Sequence, residues 1–449
     1  AVLKKSKQKI VRLLADLVFY GEEGVEYADH QLSFKSVLNL NARKANFLDF
    51  GVSFRVGCVC MLLLWAAFEV VANEINGKET WLDPSFTIFI CVGLFLVLLW
   101  CWGCSLYIWR VAGINFITVL DLEETSLAAV RRPEDVVFRS ATDLTMAYLI
   151  VFILFNSAKT RVFASDANPW IAHSLPVALL FFFIYRAVNP WKEDRRVWYG
   201  MLSSMTQSIH VTFRDGYVAD ILTSLVRVYL SIFFACTYTI GLIYFAFSSE
   251  PGAISTVHLS EMDQQVRNNL WFRYLLLPIT TLLPLMIRLM QCLLRAVETG
   301  QRWPHFGNAL KYATCAIVVA QGLFDREVQH ETYWLVCLFF VTIYQFAWDI
   351  VMDWGLLTWS RADNALRIRS SRYIGPNWVY YVAIIVNFLL RFAWILTLIQ
   401  LDVTNTEEEV GDRKDKYIFV FDYLHPVAAG LEIFRRMMWG IFRVEFEQI

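Results

Sequence analysis

Apolar residues gather into ten long runs along the chain, and polar or charged connections separate the runs. A helix needs about 20 mostly apolar residues to cross a bilayer, and each run is close to that length or longer. The pattern therefore predicts an all-α polytopic membrane protein with about ten transmembrane helices, at 53–73, 86–109, 142–158, 170–189, 217–247, 270–295, 309–325, 333–357, 376–401 and 419–443.

Lysine and arginine in the connections predict how these helices are oriented. The connections that follow the even-numbered helices hold 15 Lys and Arg residues, whereas those that follow the odd-numbered helices hold eight. Cytosolic loops usually carry the excess of positive charge, so both termini are predicted in the cytosol. Residues 1–50 precede the first helix and form a predicted polar, cytosolic lead.

Composition agrees with a membrane protein, because 57% of the residues are hydrophobic and only 18% are charged, against about 25% charged in soluble domains. The formal net charge of −1 identifies no partner by itself, and we expect a lipid bilayer and no nucleic acid around the chain. "CWGC" at 101–104 has the spacing of a redox or zinc pair, but it lies in a predicted span without a second pair. No metal and no cofactor are therefore expected.

Charged residues are distributed unevenly among the predicted helices. The first four helices, within 51–212, carry few charges away from their ends, whereas the last six, within 213–449, carry many. A charge at mid-membrane costs several kcal/mol, so such residues usually face the bundle interior or a watery cavity. The ionic and polar side chains in question are Asp220, Thr223, Arg227, Arg288, Gln291, Arg295, Lys311, Tyr312, Asp349, Asp353, Arg391, Glu432, Arg435, Arg436 and Arg443.

Two interpretations of these residues are open. They either pair off as buried salt bridges and snorkel near helix ends, or they line one shared polar pathway. We favour the first interpretation for Arg227, Arg295 and Arg443. We favour the pathway for the residues that six different helices would contribute, which include Asp220, Lys311, Asp349, Arg391, Arg435 and Arg436.

The residue types in this pathway predict an oxyanion as its cargo. Guanidinium groups present a planar fork that matches phosphate or carboxylate oxygens. Carboxylates beside them, such as Asp220, Asp349 and Asp353, can accept a hydrogen bond only from an anion that still carries a proton. Phosphate near neutral pH has such protons and sulfate has none, so the mixture predicts phosphate in preference to sulfate.

Four segments, in chain order, resemble the EXS domain of the SPX–EXS phosphate exporters: "NALKYAT", "WDIVMDWGLL", "LLRFAW" and "LEIFRRMMWGIFRVEFE". "FRVG" at 54–57 and "FRDGYVAD" at 213–220 extend the similarity over roughly residues 51 to 449. That family includes the plant root-to-shoot phosphate exporters and the animal xenotropic and polytropic retrovirus receptor. The resemblance implies ten spans, a homodimer in which the first four helices are scaffold, and export of inorganic phosphate through the last six helices.

The resemblance also implies roles for individual residues. Trp394, one turn after Arg391, would be a gate, although its spacing alone favours packing between helices, and Glu432 would lie near the same constriction. Arg288 and Arg295 are expected at the pathway entrance. Where relatives carry Asn, Ser or Cys, this chain has Thr223, whose hydroxyl keeps one donor. The expected phosphate-binding residues are Asp220, Thr223, Lys311, Tyr312, Asp349, Asp353, Arg391, Arg435 and Arg436.

Regulation and location follow only in part from the sequence. The SPX module of the family senses inositol pyrophosphate. Residues 1–50 are too short to contain that module, so we expect an upstream region beyond this chain. A plasma-membrane exporter is expected first, and a Golgi protein that recycles luminal phosphate is the alternative. A receptor or scaffold with structural ion pairs is a rival of another class. An enzyme is not expected, since no spaced His pair, nucleophile elbow or phosphate-binding Gly loop occurs.

Overall fold

A computed structural model gives the fold of most of the chain. It describes residues 50–75, 83–122, 132–159, 172–186, 210–247, 256–325, 328, 331–360, 365–369, 371–393, 395 and 414–449. The predicted cytosolic lead therefore lies outside the described residues, apart from residue 50.

The first half of the described chain is a set of helices joined by short connections. α4 packs against α1 and α2, and α2 packs in turn against two helices of the second half. These elements are α1 (Phe50–Ile75), α2 (Phe86–Val111), the single turn α3 (Phe116–Val119), α4 (Pro133–Ser157) and α5 (Ala172–Arg186).

The second half is also helical, with two π-helical turns and one two-stranded antiparallel hairpin. The elements are α6 (Phe213–Thr223), α7 (Val226–Phe247), α8 (Thr256–Asn268), a π turn at Phe272–Leu276, α9 (Leu277–Thr299), α10 (His305–Phe324), α11 (Thr332–Trp348), a π turn at Asp349–Asp353, β1 (Leu357–Ser360), β2 (Ala365–Ile368), α12 (Asn377–Arg391) and α13 (Lys414–Gln448).

The structure confirms the prediction of an all-α polytopic membrane protein. Six described helices are long and apolar enough to cross a membrane, and α5 and α12 are apolar but shorter. The single fifth span predicted at 217–247 was wrong in detail, because Ser224 and Leu225 separate α6 from α7. Thr212 fixes the start of α6 through a reciprocal capping box with Asp215, which satisfies two backbone donors at the helix terminus. The predicted orientation stays a prediction.

α13 is the helix around which the second half is arranged. It packs against α2, α6 and α12, and Trp109, Trp354 and Trp439 on or beside it are among the largest fully buried side chains. The Trp109 indole donates to the Ile441 carbonyl at 3.2 Å, and the Trp354 indole donates to the Trp439 carbonyl at 3.1 Å. These two hydrogen bonds fix the position of α13 along its own axis relative to α2 and to the residues that follow α11.

Gly355 ends the segment that follows α11 and has a left-handed backbone with φ +54°. A Cβ atom built there would lie 2.2 Å from Cε2 of Phe446 on α13. The position therefore excludes a side chain for two reasons, backbone strain and lack of space.

A series of alanine substitutions separates the two effects. Gly300→Ala places a side chain at φ +67° with open space around it, so it should lose about 1–2 kcal/mol of stability. Gly355→Ala should lose more, because the Phe446 ring must also move. Gly57 lies inside α1 with nothing within 4 Å of a built Cβ, so Gly57→Ala is the control that should melt at or slightly above the parental temperature, since Ala is favoured over Gly in a helix interior by up to about 1 kcal/mol. Melting of the purified protein in detergent measures all three, and equal losses at Gly300 and Gly355 would mean that Phe446 moves aside without cost.

Candidate functional site

The ionic residues of the second half converge on one region of the bundle. A cavity of about 310 Å³ lies between α6, α7 and α9 to α13. Seven of the predicted residues line it, together with Arg227, Cys315, Thr342, Gln345 and several apolar side chains. The seven are Thr223, Lys311, Tyr312, Arg391, Glu432, Arg435 and Arg436.

Asp349 is the carboxylate through which α11, α12 and α13 are connected. It is fully buried and sits at the first position of the π turn. Arg391 places Nη2 2.5 Å and Nε 3.2 Å from Asp349 Oδ2, and Asn387 donates to the same oxygen at 3.1 Å. Arg435 approaches it from α13, with Nη1 at 3.7 Å. Gln345, one turn before Asp349, accepts a hydrogen bond from Arg391 Nη1.

Glu432 binds Arg435 rather than forming a separate constriction. Arg435 donates from Nε and Nη2 to the two carboxylate oxygens at 2.8 and 2.6 Å, a bidentate pair within one turn of α13. The Ser224 hydroxyl donates to Glu432 at 2.9 Å and accepts from Arg436 Nε at 2.9 Å. Arg436 also donates to Thr223 Oγ1 at 3.1 Å. The break between α6 and α7 thus supplies the hydroxyl groups that hold the second arginine.

A second layer of ion pairs lies next to this cavity. Arg288 on α9 donates from Nε to Asp220 Oδ1 on α6 at 2.9 Å, and the Tyr312 hydroxyl donates to the same oxygen. Lys311 on α10 lies 3.6 Å from Asp353 Oδ2 at the end of the π turn. Each carboxylate is thereby paired with a cation from a different helix.

A smaller cavity of about 60 Å³ lies beyond the ion-pair layer, beside the predicted cytosolic loops. Asp220, Arg288 and Asp353 line it, whereas their partners Tyr312 and Lys311 line the larger cavity. Among the described residues the two cavities share no lining side chain. One layer of ion pairs therefore separates them.

Two buried polar atoms of the cluster have spare capacity for hydrogen bonds. Asp349 Oδ1 and Arg435 Nη1 make no hydrogen bond within the described part of the chain. One is an acceptor and the other a donor, and both belong to residues at most 2% exposed. Both atoms are closed to solvent, and Asp349 lines neither cavity, so a further group reaches them only when side chains of the cluster move.

The remaining predicted residues lie in different places. Arg295 donates to the Val211 carbonyl at 3.2 Å beside the smaller cavity, whereas Arg288, its partner in the predicted entrance, belongs to the ion-pair layer. Trp394, the predicted gate, lies outside the described residues. Arg227, which the sequence favoured as a structural residue, lines the larger cavity.

Sequence reasoning missed four residues that hold the cluster. One is Trp439, whose indole donates to Asp353 Oδ2 at 3.1 Å. Ser224, Gln345 and Asn387 were not singled out. The last two had a signal in the sequence, because each lies four residues before an ionic residue of the same helix, and residues four apart share one helix face.

Comparison with known proteins places the chain in a family. Residues 85–449 match the model of the EXS family. Similar proteins include SPX and EXS domain-containing protein 1 of Dictyostelium discoideum, 27% identical over 91% of this chain and 42% of that protein. The xenotropic and polytropic retrovirus receptor 1 homolog of Xenopus laevis is 27% identical over 98% of this chain and 61% of its own length.

Solute carrier family 53 member 1 of Homo sapiens is 26% identical over 98% of this chain and 62% of that protein. This chain therefore spans less than two thirds of the length of these relatives. The family model covers most of the chain, including every described residue of the charged cluster. On this evidence the chain belongs to the EXS family.

Proposed function

We propose that this protein exports inorganic phosphate from the cytosol through the charged cluster of its second half. The observation that supports this most is the charge of the cluster. Positive charge is in formal excess there: besides Arg295 and Arg443 at the smaller cavity, the second half brings together six cations and four carboxylates. They are Arg227, Arg288, Lys311, Arg391, Arg435 and Arg436 with Asp220, Asp349, Asp353 and Glu432.

A hydrogen phosphate dianion complements this arrangement in charge and in hydrogen bonding. Its negative charge is opposite in sign to the formal excess of the cluster. Its oxygens suit the forked donors of Arg391, Arg435 and Arg436, which line the larger cavity, and its proton would be donated to the unused Oδ1 of Asp349 once the side chains that bury this atom move. Sulfate carries the same charge but has no proton to donate. Its repulsion by Asp349 would therefore not be offset by a hydrogen bond.

Transport by such a cluster requires no chemical step. Phosphate would enter from the smaller cavity beside Arg295, pass the layer of Asp220 and Lys311, and bind in the larger cavity. The inside-negative membrane potential favours anion exit by about 2.3 kcal/mol per charge per 100 mV. The name of one relative, a solute carrier, is consistent with transport rather than catalysis.

Other properties of the expected exporter belong to this proposal. The protein would act as a homodimer in the plasma membrane, with Trp394 as its outer gate. A Golgi location, in which phosphate returns from the lumen, is the alternative. Inositol pyrophosphate would act only through an SPX domain.

A structural role of the ion pairs is the second candidate, and the geometry gives it one specific support. Asp220 already pairs with Arg288, Asp349 with Arg391, and Glu432 with Arg435. Buried pairs of this kind also occur in proteins where they bind no ligand. The experiments below distinguish the two candidates.

Arg391→Ala and Arg435→Ala should each lower the release of radiolabelled phosphate from proteoliposomes by about tenfold or more, since one charged hydrogen bond contributes about 1.5–3 kcal/mol. Arg55→Ala is the matched control, because Arg55 pairs with Asp143 between α1 and α4 at 3.3 Å, away from the cavity. Release at the parental rate by both cavity variants would remove the proposed site.

Phosphate should be released faster than sulfate, and Asp349→Asn should narrow the difference. The asparagine amide can donate a hydrogen bond to sulfate, and the negative charge of Asp349 that repels sulfate is gone. Arg391→Ala should instead lower the release of both anions. The ratio of the two initial rates from matched proteoliposomes measures this effect. Equal release of sulfate and phosphate by the parent would contradict the role given to the proton of the anion.

Asp220→Ala leaves Arg288 buried without its counter-charge and should destabilise the protein by about 3–5 kcal/mol. Asp220→Leu combined with Arg288→Met removes both charges and should restore much of the melting temperature in detergent. Phosphate release by the double variant should stay low, because the ion-pair layer has lost its charges. Parental release by that variant would support the structural interpretation instead.

A further inference from the structure

Glu445, near the end of α13, is a fully buried carboxylate outside the charged cluster. Its two oxygens accept four hydrogen bonds, all from the stretch that runs from Arg369, just after β2, to Tyr380 in the first turn of α12. Arg369 Nη2 lies at 2.5 Å from Oε2, and the Tyr380 hydroxyl at 2.6 Å from Oε1. The backbone N–H groups of Tyr373 and Ile374 donate to Oε1 at 2.6 and 3.1 Å. All of these partners come from one segment, so Glu445 clamps that segment to α13.

Arg369 carries the connection from Glu445 to the end of α11. Its Nη1 donates to the Trp354 carbonyl at 2.7 Å, directly after the π turn. The Trp354 indole donates to the Trp439 carbonyl, and the Trp439 indole donates to Asp353 Oδ2, both at 3.1 Å. The hydrogen bonds therefore form a closed ring from α13 through Arg369 and the π turn back to α13. We call these five side chains, Glu445, Arg369, Trp354, Trp439 and Asp353, the clasp.

The clasp fixes the two elements that carry the opposite charges of the cluster. The π turn carries Asp349 and Asp353, and α13 carries Arg435 about 15 Å along the helix from Glu445, at a rise of 1.5 Å per residue. A shift of α11 against α13 by one residue would move each carboxylate by about 1.5 Å. Such a shift would break contacts like the 3.7 Å approach of Arg435 Nη1 to Asp349 Oδ2.

We propose that Glu445 and Arg369 are positioning residues, which keep the carboxylates of the π turn in register with the arginines of α13 without touching the transported anion. Neither side chain lines the larger or the smaller cavity. The transport consequence of this proposal rests on the proposed function, whereas its structural consequence does not.

Glu445→Gln tests the proposal, because it removes the charge and leaves Arg369 without a carboxylate. The expected result is a rise of about tenfold in the phosphate concentration for half-maximal release, as misplacement by an ångström or so can cost that much or more. Glu134→Gln is the matched control. Glu134 is 1% exposed and lies 2.5 Å from Arg110 at the start of α4, and neither residue lines the larger or the smaller cavity. This control should lower the melting temperature and leave the half-maximal concentration unchanged.

The Trp439→Phe background, which removes the indole donor to Asp353 Oδ2 and so opens the clasp, distinguishes positioning from general stability. If the clasp acts through Asp353, Glu445→Gln should have almost no further effect in that background. The half-maximal concentration should change by less than about twofold, which is the usual scatter between independent substitutions. A full tenfold effect in that background would overturn the proposal. So would a Glu445→Gln protein that differs from the parent only in melting temperature.

Amide hydrogen exchange tests the clasp without any transport. Residues 349–356 should exchange faster in Glu445→Gln than in the parent and in Glu134→Gln, and equal exchange in all three would overturn the clasp. Failure of the parent to release phosphate would instead refute the proposed function, and the exchange result would still decide on the clasp. Should Glu445→Gln fail to fold, Arg369→Lys, which cannot reproduce both guanidinium bonds, is measured in the same way.

Discussion

The cost of burying charge is the constraint on which the second half of this protein depends. A carboxylate or guanidinium group away from water is stable only with partners that replace its hydration. Asp349 has partners from α12 and α13, and Asp220 has partners from α9 and α10. Because each partner comes from a different helix, the pairing of charges also determines which helices lie side by side.

If the cluster binds phosphate as proposed, the same pairing also accounts for release of the anion. Glu432 already occupies two donors of Arg435, so an entering anion must compete with a carboxylate of the protein. The competition lowers the affinity for the anion and leaves the arginine neutralised after the anion leaves. A cluster of cations alone would bind an anion tightly and would be unstable when empty.

Local irregularities of the helices supply the remaining geometry. The break at Ser224 presents a hydroxyl to Glu432 and Arg436, and the π turn at Asp349–Asp353 presents both carboxylates beside α13. π turns within helices are frequent at functional sites. Gly355 then ends the turn in a conformation that a residue with a side chain adopts only with strain. These departures from regular helix are costly unless neighbouring groups satisfy the freed backbone, as Arg369 does for the Trp354 carbonyl.

The sequence alone determined the fold class, the helices and the identity of most residues in the cluster. Apolar runs of spanning length leave few alternatives in a bilayer, and ionic residues inside them face inward because lipid excludes them. Only the tertiary structure decided the partners: Asp220 with Arg288, Trp439 with Asp353, and Glu445 with Arg369. Helical periodicity specifies the face on which a side chain lies but not which helix packs against that face. That choice depends on contacts between residues far apart in the chain.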